Sequence, residues 1–450
     1  MLPYLDLVPT ALYPRVPKIR QRWQKAQELR AMQFWPREKI EEYVEERKKV
    51  VLRHAATRVP YYAKIFSERG WDPSQAETYW ASWPVLTQEL LQTHRNEILS
   101  RDVTAQDMVL DGSGGSSGHV KTFYHPANHG FYTLSSAYHT DAIAGWTPGC
   151  RTAYLWAAPI DIARHQGLVT KAKGFLQNIR VYDSFDMGET QMQAFHDQLT
   201  RFRAEVIVAI AGSAFEMARY LKRQGVKPTY PTRGMVVSAE TLTDEMRATI
   251  EEVFGRSVFN RYGCREVGLI AFEDEAHAGL HVNFAGNVVE VVDSQSYEPI
   301  VEREGDVLVT TLTQIHFPLI RYQVGDAAVL TRRACVCGRN SPLLSRVLGR
   351  RSDFVTAISG RRIHGEYFSH IFRELEKLRQ YVVVQEEPDR ITIRAVMVSP
   401  LEKHEQAALL HEFRKTLGET MRIEFEAVGH IPPLPSGKRR FVVSRLEERA

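Results

Sequence analysis

From Arg151 to Gly268 the chain alternates short, continuously apolar runs with amphipathic stretches of helical length, and no other feature constrains the fold as strongly. "RTAYLWAAP", "AEVIVAIAG", "RGMVVSAE" and "SVFNRYG" predict strands. "ETQMQAFHDQL", "SAFEMARYLKRQG" and "TDEMRATIEEVFG" predict helices, the last opened by Thr243 as N-cap and stopped by Gly255. Strands with no polar face are covered on both sides, which implies a parallel sheet between helical layers. Ligands on such sheets sit outside the carboxyl ends of the strands. Two polar stretches that follow predicted strands, "SAE" (Ser238, Ala239, Glu240) and "YGCREVG" (Tyr262 to Gly268), are therefore candidate binding segments.

Before this region, Glu38 to about Phe66 reads as a helical layer, and beyond Arg350 the pattern changes. "GEYFSHIFRELEKL" predicts a helix, "YVVVQEE" and "RITIRAVMV" a strand pair, "SPLEKHEQAALLHEFRKTLG" a helix and "RIEFEAVGHI" a last strand. In the second of these helices Ser399 is the expected N-cap, Pro400 the first helical residue and Glu402 the partner in a capping box. A chain of 450 residues is too long for one ordinary core. The expectation is an α/β fold: a large N-terminal domain with parallel-rich sheets covered by helices over 1–349, and a small mobile C-terminal α+β domain over 350–450.

Charge narrows the function classes. The formal net charge is +4 and no block of five like charges occurs, so a nucleic-acid partner has no global electrostatic support. Arg332 to Arg351 nevertheless holds six Arg and no acid, which suits a solvated loop or attraction to a phosphate-bearing small molecule. Cys150, Cys264, Cys335 and Cys337 are too sparse to staple the chain, and no secretory apolar segment precedes them, which leads us to expect a reducing, cytoplasmic setting. The longest apolar run, Val206 to Gly212, is far short of the ~18 to 20 residues that span a bilayer, so no membrane insertion is expected.

"DGSGGSSGHVKTFYHP" (Asp111 to Pro126) carries Ser113, Gly114, Gly115, Ser116, Ser117 and Gly118 in succession, with Lys121 after them. Such a run can be a flexible spacer. It can also turn several amides and hydroxyls onto one anion. It is not the P-loop spacing G-x-x-x-x-G-K-[ST].

Five stretches in order, "GSGGSSGHVK", "YGCREVG", "PLIRYQVGD", "LGRRSDF" and "PSGKRRFVV", resemble the ordered signature of adenylate-forming enzymes. Within that superfamily the chain is similar to the phenylacetate-CoA ligase-like branch, which includes relatives from capsule polysaccharide synthesis. The resemblance runs from about Glu38 to Arg440. It implies ATP-dependent activation of an aryl or acyl carboxylic acid as its adenylate, then transfer to a thiol, most simply coenzyme A. Transfer to an amine or a carrier-protein thiol, and nucleotide binding without turnover, remain alternatives.

By that resemblance Ser113 to Gly118 wrap the pyrophosphate end and Glu266 ligates Mg²⁺. Ser238, Ala239 and Glu240 line the adenine site, Tyr262 stacks on the base with Gly263 beside it, Asp326 accepts from the ribose hydroxyls, and Arg350 reaches the ribose or phosphates. Asp353 is the hinge. Lys438 enters the site when the small domain closes, and bridges carboxylate and α-phosphate. Tyr138, His139, Trp146 and Ser213 fall in segments that supply the acyl pocket in relatives, where core packing explains such residues equally well.

The chain also departs from the pattern. Arg265 stands where relatives carry Thr or Ser, so that a cation replaces a hydroxyl expected near the α-phosphate; it contacts phosphate directly, or the chemistry is slowed or lost. Val120 replaces a common Pro, and Ser352 an acid. Cys335 and Cys337 match a "CxCG" turn that holds structural zinc in some members with a Cys and a His; His281 occupies the His position, while Asp274 replaces the Cys. Cys264 is a second candidate for that place, and reduced free thiols are the alternative.

Overall fold

The computed structural model describes residues 16–114, 120–156, 174, 177–184, 187–350, 354–372, 375, 377–432 and 441–446. Gly115, Ser116, Ser117, Gly118, Asp353 and Lys438 lie outside them. The chain divides into two compact units, Met1–Val347 and Leu348–Ala450.

Three helices open the first unit: α1 (Pro17–Met32), α2 (Arg37–Arg58) and α3 (Pro60–Arg69). The helical layer expected from Glu38 onward is thus two helices. Pro60 has no amide hydrogen and restricts Val59 to extended backbone, so α2 must stop there, while Pro60 suits the first position of α3. Leu52, Ala55, Val59, Tyr62 and Phe66 on these helices are buried in one core with Ile320 and Tyr322.

Strands β1 (Met108–Gly114) and β2 (Val120–Pro126) form an antiparallel hairpin, paired out to Gly114 opposite Val120. The Gly/Ser stretch therefore joins two paired strands, which rules out the interdomain-spacer reading.

An 11-stranded sheet dominates the first unit. Its parallel half contains β3 (Thr152–Trp156), β4 (Ile179–Asp183), β5 (Val206–Ile210), β6 (Gly234–Ser238) and β7 (Val258–Cys264), ordered β4-β3-β5-β6-β7. Helices α4 (His129–Asp141), α5 (Glu189–Phe202), α6 (Ala211–Arg223) and α7 (Asp244–Phe254) accompany these strands. As expected, the Thr243 hydroxyl caps α7 by accepting the Met246 amide at 3.2 Å, and Gly255 ends it in left-handed conformation. Every residue of β5 and of β6 is buried.

The other half holds β8 (Gly268–Glu273), β9 (Leu280–Val282), β10 (Asn287–Val292), β11 (Glu304–Thr311), β12 (Tyr322–Thr331) and β13 (Leu343–Arg350), in the order β8-β9-β13-β12-β11-β10 beyond β7. The pairs β7–β8, β8–β9, β9–β13, β10–β11 and β11–β12 are antiparallel. The parallel expectation thus holds only as far as β7. Beyond it the links are too short for a helical crossover, and a short link can join only antiparallel neighbours.

In the second unit β14 (Phe354–Thr356) pairs with β15 (Arg362–His364), followed by α8 (Gly365–Phe372). A 4-stranded sheet follows, made of β16 (Leu378–Glu387), β17 (Arg390–Met397), β18 (Arg422–Ala427) and β19 (Val442–Ser444) in the order β18-β17-β16-β19. Helix α9 (Lys403–Leu417) buries Leu409, Phe413 and Leu417 against Val383, Ile391 and Ile393. It starts later than expected: Glu402 is the N-cap, and its amide donates to Glu405 at 2.7 Å, leaving Ser399 and Pro400 ahead of the helix. Lys377 also pairs with Glu405 at 2.8 Å, a tertiary contact that helps set this start. Among the described residues, no helix is long and apolar enough to cross a membrane.

Candidate active site

The parallel half ends at β7, and the candidate residues gather around that boundary. Tyr262 on β7 donates its hydroxyl to Asp326 Oδ2 on β12 at 2.8 Å, which joins two of the five motifs directly. "YGCREVG" was expected beyond the strand end. Instead β7 runs through Cys264, because Cys264 pairs with Gly268 across a tight hairpin, and only Arg265 to Val267 form the turn. Gly263 is obligatory there: a Cβ would lie 2.5 Å from the Gly268 carbonyl oxygen.

The "SAE" segment is held by its own contacts. The Ser238 hydroxyl donates to the Arg261 carbonyl at 2.7 Å. Ala239 has φ +72°, a strained conformation for a residue with a Cβ. Glu240 accepts the Gly212 amide at 2.8 Å in the first turn of α6, where negative charge is favoured, and a Cβ on Gly212 would meet that oxygen at 2.5 Å.

The Arg265–Val267 turn is gripped from two sides. His125 Nε2 lies 3.0 Å from the Arg265 carbonyl, and Gln314 Nε2 donates to the Glu266 carbonyl at 3.1 Å. Arg265 Nη1 stands 3.6 Å from Asp111 Oδ1, so its charge faces the carboxylate that precedes the Gly/Ser stretch. Glu266 is buried, and burial together with the Glu266 carboxylate pushes the Cys264 thiol well up. Asp111 and His125 fall inside the Gly/Ser segment without any motif to mark their roles, and no sequence signal points to Gln314.

The expected acyl-pocket residues are packed into the core. Trp146 stacks on Tyr138 at 4.3 Å and donates to Thr152 Oγ1 at 3.0 Å. His139 is 1% exposed, stands edge-on to Phe272, and burial pushes it down to about 3, with Arg339 and Arg30 adding to the effect. The Ser213 hydroxyl donates to Ser184 Oγ at 3.0 Å. Nearby, Arg261 Nη1 pairs with buried Asp141 at 2.9 Å; burial pushes Asp141 up to about 6 and Arg261 opposes it. Arg350 ends β13, and Ser113 and Gly114 end β1.

A second cluster brings Asp274, His281, Cys335 and Cys337 together with one donor atom each, all within 4.8 Å of one another. Cys337 Sγ is 3.3 Å and Asp274 Oδ2 3.1 Å from His281 Nε2, and the Cys335 thiol donates to Asp274 Oδ2 at 3.5 Å. Donors about 2.0 to 2.3 Å from zinc stand about 3.3 to 3.8 Å apart on a tetrahedron, close to these separations. His281 Nδ1 meets Ser341 Oγ at 2.9 Å, the outer contact that orients a ligating imidazole. Arg339 reaches Asp274 at 3.2 Å and Glu275 at 3.1 Å and offsets part of the anionic charge. Burial pushes the Cys335 thiol up to about 12, whereas a cation would favour the thiolate. The quartet fits zinc. Cys264 belongs to the Glu266 turn instead.

The family model of the CapK C-terminal domain matches residues 355–445. The phenylacetate-coenzyme A ligase of Thermus thermophilus is 29% identical over 333 residues, 71% of this chain and 72% of that one. Protein CapK of Staphylococcus aureus is 23% identical over 369 residues, 81% of this chain and 80% of that one. The chain is thus similar to the adenylate-forming superfamily, in its phenylacetate-CoA ligase-like branch with CapK relatives. Among solved structures, 2-hydroxyisobutyryl-CoA ligase in the postadenylation state with 2-HIB-AMP has the same fold, with TM-score 0.72 at 17% identity over 90% of this chain and 89% of that chain. Two residues that depart from the family pattern have charged partners: Arg265 stands beside Asp111, and Asp274 beside Arg339.

Proposed function

We propose that this protein activates a carboxylic acid with ATP. A carboxylate oxygen attacks the α-phosphorus, the bond from that phosphorus to the β-phosphate oxygen breaks, and acyl-adenylate and pyrophosphate form. The sulfur of coenzyme A then attacks the acyl carbonyl carbon, gives up its proton, and AMP leaves. The observation that carries this reading is the Tyr262–Asp326 hydrogen bond beside the Glu266 turn, which brings two of the ordered motifs into direct contact on one sheet.

No protein nucleophile is required, so catalysis is positioning plus stabilisation of charge on phosphate oxygens. Tyr262 offers a ring face to adenine, and Asp326 keeps acceptor capacity for ribose hydroxyls. Amides and hydroxyls of Ser113, Gly114, Gly115, Ser116, Ser117 and Gly118 hold the pyrophosphate end. Arg265, Arg350 and Lys438 supply positive charge, Lys438 in the adenylation half-reaction. Glu266 would be the protein ligand to Mg²⁺, an ion that binds one or two carboxylates plus substrate phosphates and would there neutralise phosphate charge. The Asp274–His281–Cys335–Cys337 quartet holds zinc in a structural role.

ATP–pyrophosphate exchange over aromatic and aliphatic acids tests the reading, with exchange expected for at least one acid; ATP binding with no exchange for any would overturn it. Product analysis with coenzyme A, an amine and a carrier protein then identifies the acceptor. Lys438→Ala should abolish adenylate formation and spare acyl transfer from supplied adenylate. Equal loss of both steps would remove Lys438 from that role.

A further inference from the structure

The Arg265–Val267 turn is the shortest link between the two halves of the sheet that contain the candidate site, and its backbone is tied at two successive carbonyls. A carbonyl oxygen only accepts, so the 3.0 Å contact fixes the proton of His125 on Nε2. Burial lowers the pKa of His125, against the opposing pull of Asp111, which favours this neutral tautomer. Gln314 makes the equivalent donation to the next carbonyl, that of Glu266. His125 is 4% exposed and Gln314 2%, so neither side chain can leave without opening the core. His125 is also clamped from the far side, its ring stacked on His129 at 3.6 Å with a 6° interplanar angle.

The two donors come from separate elements. His125 is on β2, the second strand of the hairpin that carries the Gly/Ser stretch, and Gln314 lies between β11 and β12, ahead of Asp326. Asp111 on β1 adds a third tie through the Arg265 side chain, and its Oδ1 also accepts the Gly112 amide at 2.9 Å. Fixing the carbonyls before and after the Glu266 Cα fixes the direction in which its carboxylate leaves the backbone. A metal-ligating carboxylate must be held to within about half an ångström, and supporting hydrogen bonds usually supply that precision.

We propose that His125 and Gln314 are positioning residues that aim Glu266 at the Mg²⁺-bound phosphates, and that they join the Gly/Ser hairpin, the Glu266 turn and the approach to Asp326 into one mechanical unit. The proposal rests on the adenylation reading for the identity of the ligand. It assigns a task to two buried polar residues that contact no reacting atom.

The test compares His125→Leu, which removes the donor, with His125→Gln, whose amide can replace Nε2. ATP affinity is measured by calorimetry with and without Mg²⁺ on the full chain, alongside exchange kinetics. His125→Leu should cut the Mg²⁺-dependent gain in ATP affinity and the exchange kcat by about tenfold each, the scale of one lost buried hydrogen bond. KM for the acid should stay within about twofold, and His125→Gln should restore the Mg²⁺ response to within about threefold. Equal losses in the Leu and Gln variants, or an unchanged Mg²⁺ response in a folded His125→Leu protein, would overturn the proposal, as would wild-type ATP binding that ignores Mg²⁺. If His125→Leu does not fold, Gln314→Leu reads the second tie by the same measurement and the same criteria. Absence of exchange from wild type, with His125-sensitive Mg²⁺–ATP binding intact, would sink the enzyme reading and leave the positioning role standing.

Discussion

The two halves of the large sheet stabilise themselves differently. The parallel half, β3 to β7, is held by apolar side chains on both faces: β5 and β6 are buried at every position, and Val206, Val208, Val236 and Phe259 share one core with Tyr138 and Trp146. The antiparallel half shares an apolar core with α2 and α3 and adds polar clamps to it. Arg321 is 4% exposed and donates to Glu290, the Trp83 carbonyl and the Tyr297 carbonyl, and the Asp274–His281–Cys335–Cys337 quartet ties the loop after β12 to β8 and β9. Apolar burial is non-directional, whereas hydrogen bonds and ion pairs are directional and help short hairpins keep their register. The candidate site lies where the two halves meet.

The contrast can be broken most severely at the quartet. On the zinc proposal, replacing Cys335 and Cys337 together with Ser should abolish metal binding and cost about 4 kcal/mol or more of stability. Metal content and thermal melting would read this, and an unchanged melting temperature would mean that the quartet clamps nothing.

Asp326 sharpens the meeting line. Asp326→Ala should weaken ATP binding by more than ~1 kcal/mol, the scale of losing charge-assisted hydrogen bonds, and Tyr262→Phe by less than that. Equal affinities for wild type and Asp326→Ala would remove Asp326 from the nucleotide site.

In the parallel half the sensitive group is His139. Its folded pKa of about 3 lies below the ordinary histidine value, so the neutral form is favoured in the fold. That stability is complete above the unfolded value of about 6.5 and declines as pH falls towards 3, by up to about 1.4 kcal/mol per pH unit. His139→Met should flatten denaturant-measured stability between pH 6.5 and 5. An unaltered slope would show that His139 is not the acid-sensitive group.

The helices and strands from Arg151 to Cys264 were legible, because continuous apolar runs and amphipathic periods are local in the chain, except for β4, a sheet-edge strand with little buried apolar surface that was not expected. The Thr243 cap and the Gly255 stop could be read for the same reason. The antiparallel half could not, since hairpin pairing depends on partners far along the sequence. Pro60 likewise marks, within the sequence, the break that divides the helical layer expected over Glu38–Phe66 into two helices, while the start of α9 at Glu402 involves a distant lysine, Lys377.

By itself, then, the sequence determined most of the layered α/β core and the order of the five motifs, because each is written in local pattern and spacing. The tertiary structure alone decided that the Gly/Ser stretch joins a hairpin, that Tyr262 meets Asp326, that Arg265 faces Asp111, and that His125 and Gln314 grip the Glu266 turn. Most of these contacts join residues far apart in the chain, and the hydrogen bonds that hold them are directional. Their partners are therefore chosen by the packing of whole elements, which no local stretch of sequence encodes.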